Sequence, residues 1–179
     1  MSVVVANPSA SDDYFRFFGL NQQFNIDLSV LDQAYLAIQK EVHPDRHARG
    51  SDTEQRLAMQ MATFANTAFQ TLKNPIQRGL YLCKLHGVDA KLETNTAMPA
   101  AFLMKQMEWR ESLDEQAEDL PGLEVLIDEV NQVKKQTIAE VVQAIDAANN
   151  YVRAAELLRG LLFIDKFAIE LDDAIAALA

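Results

Sequence analysis

Pro44 lies between two stretches of the chain that are both spaced as α-helices. Before it a helix is predicted over about residues 29–42, and after it apolar residues recur at intervals of three and four from residue 57 to residue 72. Proline lacks a backbone N–H and disfavours the helical conformation in the residue before it. The sequence therefore predicts a helical hairpin whose connecting turn carries His43-Pro44-Asp45, an imidazole and a carboxylate side by side.

A second helical region is predicted beyond the hairpin. Scarce glycine (6) and proline (5) favour an α-rich protein. Three further helices are expected at about 100–118, 122–148 and 151–177, with turns at Pro121-Gly122 and Asn149-Asn150. The predicted fold is all-α, with a disordered lead over 1–10, a hairpin domain over 11–86, a linker over 87–99 and a three-helix bundle over 100–179.

Charge is distributed unevenly between the two regions. Residues 1–86 contain eight basic and eight acidic residues, whereas residues 87–179 contain eight basic and eighteen acidic ones, which accounts for the net charge of −10. The acidic region would repel nucleic acid and anionic lipid, so neither is expected as its partner. Neither a membrane-spanning stretch nor a targeting peptide is recognised. The single cysteine, Cys83, excludes an intrachain disulfide, and we expect a cytoplasmic protein without a bound cofactor or metal.

The first helix of the acidic region carries large apolar residues on two faces. One face has the spacing of a core stripe: Phe102, Gln106, Trp109, Leu113 and Ala117. The other shares its arc with carboxylates and comprises Leu103, Met104, Met107, Glu108, Glu111 and Glu115. An apolar centre with a charged rim is typical of a protein-binding surface, although these residues could also pack at the edge of the stripe.

Phe163, in the last helix, falls on that helix's charged face. A phenylalanine there is either covered by the other domain or exposed for a partner, and we favour the partner.

His43 and Asp45 admit three interpretations from the residues alone. The first is a solvated turn steadied by the aspartate. The second is an acid–base pair, but no nucleophile or pocket is visible nearby. The third is the metal site of a hydrolase that also uses His47, although Pro44 argues against the helix that would align both histidines, and a third strong ligand is missing.

The order of these elements resembles a known module, the J-domain: a short first helix, a longer second one, the turn His43-Pro44-Asp45 and a long third helix with core phenylalanines. Residues 65–72 (ANTAFQTL), followed by Asn74-Pro75, Arg78 and Tyr81, resemble the end of that module. Residues 101–108 (AFLMKQME) and 162–166 (LFIDK) resemble the family of HscB co-chaperones of iron–sulfur cluster assembly.

That resemblance implies a non-catalytic adaptor with two partners. The J-domain would stimulate the ATPase of an HscA-type chaperone of the DnaK class, using His43, Pro44, Asp45, Arg46 and Lys40. The bundle would bind an IscU-type scaffold protein through Leu103, Met104, Met107, Glu108, Glu111, Glu115 and Phe163. The second helix departs from the basic face usual in J-domains, since Lys40 is accompanied by Asp32 and Glu41. The alternative is a general J-protein for unfolded clients.

Overall fold

The computed structural model describes residues 13–42, 50–89 and 98–178, and within these ranges it contains helices and no strand. The all-α class predicted from the sequence is confirmed. The helices are α1 (Tyr14–Phe17), α2 (Leu28–Val42), α3 (Asp52–Lys73), α4 (Pro75–Leu85), α5 (Ala100–Glu115), α6 (Leu120–Val142) and α7 (Tyr151–Leu178). The chain divides into two compact units, Met1–Tyr81 and Leu82–Ala179, and the division falls inside α4.

The first unit contains the predicted hairpin of α2 and α3, which pack against each other. Their buried residues include Leu31 and Ile38 of α2 and Ala65, Ala68 and Leu72 of α3. At one exposed edge the Tyr35 ring stacks on Phe69 with centroids 4.0 Å apart. The Tyr35 hydroxyl donates to Asn66 Oδ1 over 2.7 Å, and Gln39 Nε2 donates to the same oxygen over 2.8 Å. Apolar packing and this polar edge fix the register of the two helices.

A buried arginine joins the loop between α1 and α2 to the end of α3. Arg78 Nε donates to the Phe24 carbonyl over 2.7 Å, and its Nη1 donates to the Leu72 carbonyl over 2.6 Å. The guanidinium also lies 4.9 Å from the centroid of the buried Phe24 ring. One side chain of α4 therefore satisfies backbone carbonyls from two other segments of the first unit.

The second unit is a bundle in which α6 and α7 pack along much of their length. Its core includes Leu123, Leu126 and Val130 from α6 and Leu158, Leu161 and Ile164 from α7. A π-helical segment, Gln143–Ala147, follows α6 directly. Asn149 then takes a φ of 50°, the left-handed conformation that commonly ends a helix, and α7 begins two residues later.

The boundary predicted between the first two helices of the acidic region is wrong. Pro121-Gly122 does not separate two helices, because both residues lie in the first turn of α6, where a missing N–H costs nothing. The preceding helix ends earlier than predicted, at Glu115. The cap of α3 is Ser51: its hydroxyl accepts from the Glu54 N–H while the Glu54 carboxylate accepts from the Ser51 N–H.

Several predictions fall outside the described residues. They concern the disordered lead over 1–10, the turn at His43-Pro44-Asp45 with Arg46, and residues 90–97 of the linker predicted over 87–99. The domain limits at 11–86 and 100–179 stay predictions. Within the described part of the chain, no helix is both long and apolar enough to cross a bilayer.

Candidate functional site

Trp109 determines which face of α5 is turned toward the rest of the bundle. Trp109, 2% exposed, is the buried residue of this helix. Its ring lies nearly parallel to that of Phe167, with centroids 5.7 Å apart, and its Nε1 donates to Glu129 Oε1 over 3.0 Å. The rest of the predicted core stripe is less buried than expected: Phe102, Gln106 and Leu113 are half-buried, and Ala117 is exposed beyond the end of the helix.

The residues predicted to face away from this stripe are exposed. Leu103, Met104 and Met107 are 45%, 63% and 64% exposed. Methionine side chains adapt in shape, which suits a surface that meets a partner. We call these three residues and Phe163 the apolar patch. Its exposure agrees with the face assigned from helical periodicity.

Phe163 lies level with the other members of the apolar patch. Phe102 contacts α7 at Gly160, since a Cβ built there would meet the Phe102 ring at 3.6 Å. Trp109 stacks on Phe167. Both residues lie seven positions further along their helices than Phe102 and Gly160, so α5 and α7 run parallel to each other. Phe163 is therefore level with residue 105, between Leu103 and Met107 along the bundle. It is 45% exposed, so within the second unit its ring is only partly covered.

Carboxylates border the apolar patch along α5. Glu108, Glu111 and Glu115 are all exposed. The two cations of this helix are paired with other helices: Lys105 Nζ lies 2.5 Å from Glu129 Oε1 on α6, and Arg110 Nη1 lies 3.1 Å from Glu170 Oε2 on α7. Among the described residues, no cation lies within ion-pair distance of Glu111 or Glu115. The rim consequently presents net negative charge to an incoming surface.

Neither of the two ion pairs that hold these cations is predicted by the sequence pattern. Glu129 lies in a different helix from Lys105, and helical periodicity says nothing about which residues of two helices meet. The acidic surplus of the region was the available signal, but it did not identify individual partners.

The proposed chaperone-binding residues are described only in part. Lys40 is exposed in the last turn of α2. His43, Pro44, Asp45 and Arg46 lie outside the described residues. Within the described ranges, no group of three or more histidine, cysteine or acidic side chains is arranged to hold a metal ion.

A family model described as the HSCB C-terminal oligomerisation domain matches residues 98–172, which include α5, α6 and most of α7. A co-chaperone protein HscB homolog of Cupriavidus taiwanensis is 45% identical over 166 residues, spanning 92% of this chain and 94% of that protein. One from Azoarcus sp. strain BH72 is 46% identical over 168 residues, spanning 93% of this chain and 95% of that protein.

Solved structures agree over both units. The crystal structure of human co-chaperone protein HscB superposes with a TM-score of 0.87 at 30% identity, covering 92% of this chain and 83% of the human one. The chaperone HscB from Vibrio cholerae superposes with a TM-score of 0.83 at 32% identity, covering 94% of this chain and all of that one.

Proposed function

The chain belongs to the HscB family of co-chaperones, and from this premise we propose that it binds an IscU-type iron–sulfur scaffold and delivers it to an HscA-type chaperone of the DnaK class. The J-domain stimulates the ATPase of that chaperone, and the acidic bundle holds the scaffold. The protein forms no covalent intermediate and needs no cofactor of its own. We place this activity in the cytoplasm, a compartment that suits a chain with one buried, unpaired cysteine.

The observation that carries the proposal is the exposed apolar patch of Leu103, Met104, Met107 and Phe163 with its acidic rim. Four large apolar side chains grouped on two helices are unfavourable in water, whereas a partner that covers them removes that cost. Glu108, Glu111 and Glu115 complement a partner surface with basic side chains around an apolar contact. Such complementarity selects the partner and accelerates encounter.

The chaperone site is proposed at the tip of the hairpin. His43, Pro44, Asp45 and Arg46 follow directly on the last turn of α2, and Lys40 is exposed in that turn. With one site in each unit, the protein tethers scaffold and ATPase, and this raises the effective concentration of each for the other.

The test is a calorimetric titration against a purified IscU-type scaffold. Leu103→Ala combined with Phe163→Ala should weaken binding by about 10- to 100-fold, since truncating central apolar contacts costs most of the energy of an interface. The matched control is Val125→Ala combined with Ile169→Ala. These residues are also exposed, at 70% and 56%, and lie on α6 and α7 outside the apolar patch, so binding should not change.

The two sites should separate in function. His43→Gln should abolish stimulation of the ATPase while scaffold affinity stays at the wild-type value, and circular dichroism should show the same helix content in all variants. Absence of saturable binding by the wild type would contradict the proposal. Equal binding to any unfolded protein would instead support a general J-protein for unfolded clients.

A further inference from the structure

Lys105 lies between two carboxylates of different helices. Its Nζ is 2.5 Å from Glu129 Oε1 on α6 and 3.5 Å from Glu108 Oε2, three residues along α5. Glu108 is one of the proposed scaffold contacts, whereas Lys105 and Glu129 have no assigned role. A cation beside Glu108 competes with any basic side chain that a partner brings to that carboxylate.

Glu129 is better placed than Glu108 to hold the lysine. The same Oε1 atom accepts the hydrogen bond from Trp109 Nε1, and the indole is buried against Phe167. The glutamate is thus oriented by a rigid group before the lysine approaches, so less side-chain entropy is lost when the pair forms.

The ionisation of the pair agrees with this geometry. The pKa of Lys105 is raised, chiefly by its hydrogen bond to Glu129. The pKa of Glu129 is lowered, chiefly by the same bond and then by the bond from Trp109. Both groups are therefore charged at neutral pH, and the pair persists under the conditions in which the protein would meet its partner.

We propose that Glu129 is a positioning residue of the scaffold-binding surface. From α6, its carboxylate holds the ammonium group of Lys105 and so leaves Glu108 available to a cation of the partner. The inference rests on the proposed function, because Glu108 is a contact only if the patch binds the scaffold. The partner chemistry is specific: a basic side chain meets Glu108 while its apolar neighbours cover Met104 and Met107.

The experiment measures scaffold affinity for a set of single and double variants at one ionic strength. Glu129→Gln releases Lys105 to Glu108 and should weaken binding by about threefold to fivefold, the upper part of the range for an exposed ion pair. Lys105→Met removes the competitor, so alone it should bind at least as tightly as wild type. Combined with Glu129→Gln, it should restore wild-type affinity.

A matched control separates this effect from net charge. Lys135 is exposed on α6, six residues after Glu129, and Lys135→Met restores the same net charge in the Glu129→Gln background. That double variant should bind as weakly as Glu129→Gln alone. In a Glu108→Gln background, Glu129→Gln should cause no further loss, because the carboxylate through which it acts is already gone.

The outcomes divide cleanly between the two proposals. Failure of wild-type protein to bind the scaffold would overturn the proposed function and this inference with it. Wild-type binding that Glu129→Gln leaves unchanged would overturn the inference alone, as would a loss that Lys105→Met does not restore. Trp109, the single tryptophan of the chain, supplies a check on folding, since its emission should stay that of a buried indole in every variant.

Discussion

Replacing Arg78 with methionine should destabilise the first unit severely. Arg78 is 7% exposed and donates to the carbonyls of Phe24 and Leu72. Methionine keeps an unbranched apolar stem of similar length, so packing changes little and the guanidinium is the group removed. The variant therefore removes the interactions of the guanidinium, including both hydrogen bonds and the contact with the Phe24 ring.

The substitution affects the two carbonyl acceptors unequally. Leu72 lies in the last turn of α3, where carbonyls lack helical partners, so its oxygen would be left buried without the guanidinium. The Phe24 carbonyl also accepts from the Ile26 N–H over 3.1 Å and loses less. Each of the two hydrogen bonds to the charged guanidinium contributes about 1.5–3 kcal/mol. Desolvation of the arginine offsets part of their sum, so the expected net loss of unfolding free energy is about 2–4 kcal/mol.

Urea unfolding followed by circular dichroism should show this loss, and hydrogen exchange should place it in peptides that contain Phe24 and Leu72. Arg78→Lys should be intermediate, because one ammonium cannot serve both carbonyls as a planar fork does. The control is Arg56→Met, which removes an exposed bond of the same chemistry, Nε to the Asp52 carbonyl at 3.3 Å, and should cost less than about 0.5 kcal/mol. Equal effects of Arg56→Met and Arg78→Met would refute the reasoning.

Three further predictions test other parts of the chain. Ser51→Ala removes half of the capping box and should lower the free energy of unfolding by about 1 kcal/mol, whereas unchanged urea midpoints would contradict that role of the cap. Burial raises the pKa of the Cys83 thiol to about 11, so Ellman's reagent should label it at pH 8 only after unfolding; fast labelling of native protein would show an accessible thiolate. Because the folded-state pKa of Glu129 is depressed, its charge stabilises the fold above the unfolded value near 4.5 and this contribution is lost as the pH falls through the folded value. Glu129→Gln should therefore flatten the fall of Tm between about pH 5 and pH 3, and parallel curves for variant and wild type would count against the pair.

Local pattern predicted most of the helices well. The predicted start and end of the second helix, near 29 and 42, agree with α2 at Leu28–Val42, because its buried positions recur at helical spacing between a loop and a proline. The last helix, predicted over about 151–177, corresponds to α7 at Tyr151–Leu178. The prediction that Pro121 precedes α6 is wrong. Proline interrupts a helix only where the backbone N–H would bond to another helical residue, and in the first turn of a helix it would not.

The pattern of apolar and acidic side chains likewise identifies the candidate surface without reference to tertiary contacts. Leu103, Met104 and Met107 lie among carboxylates on one arc of a helical wheel, and the exposed fraction of each agrees with that arc. The sequence did not decide between a patch and the edge of a core stripe for these residues. Trp109 decided it, because its stacking on Phe167 turns this arc of α5 away from α7.

The sequence by itself determined the all-α class and the placement of apolar residues among carboxylates in the acidic region. These features depend on residues close together in the chain, where helical spacing relates them directly. Only the tertiary structure decided that Lys105 is held by Glu129 and Arg110 by Glu170. Such pairs depend on how separate helices are rotated and offset against one another, and packing between helices sets both.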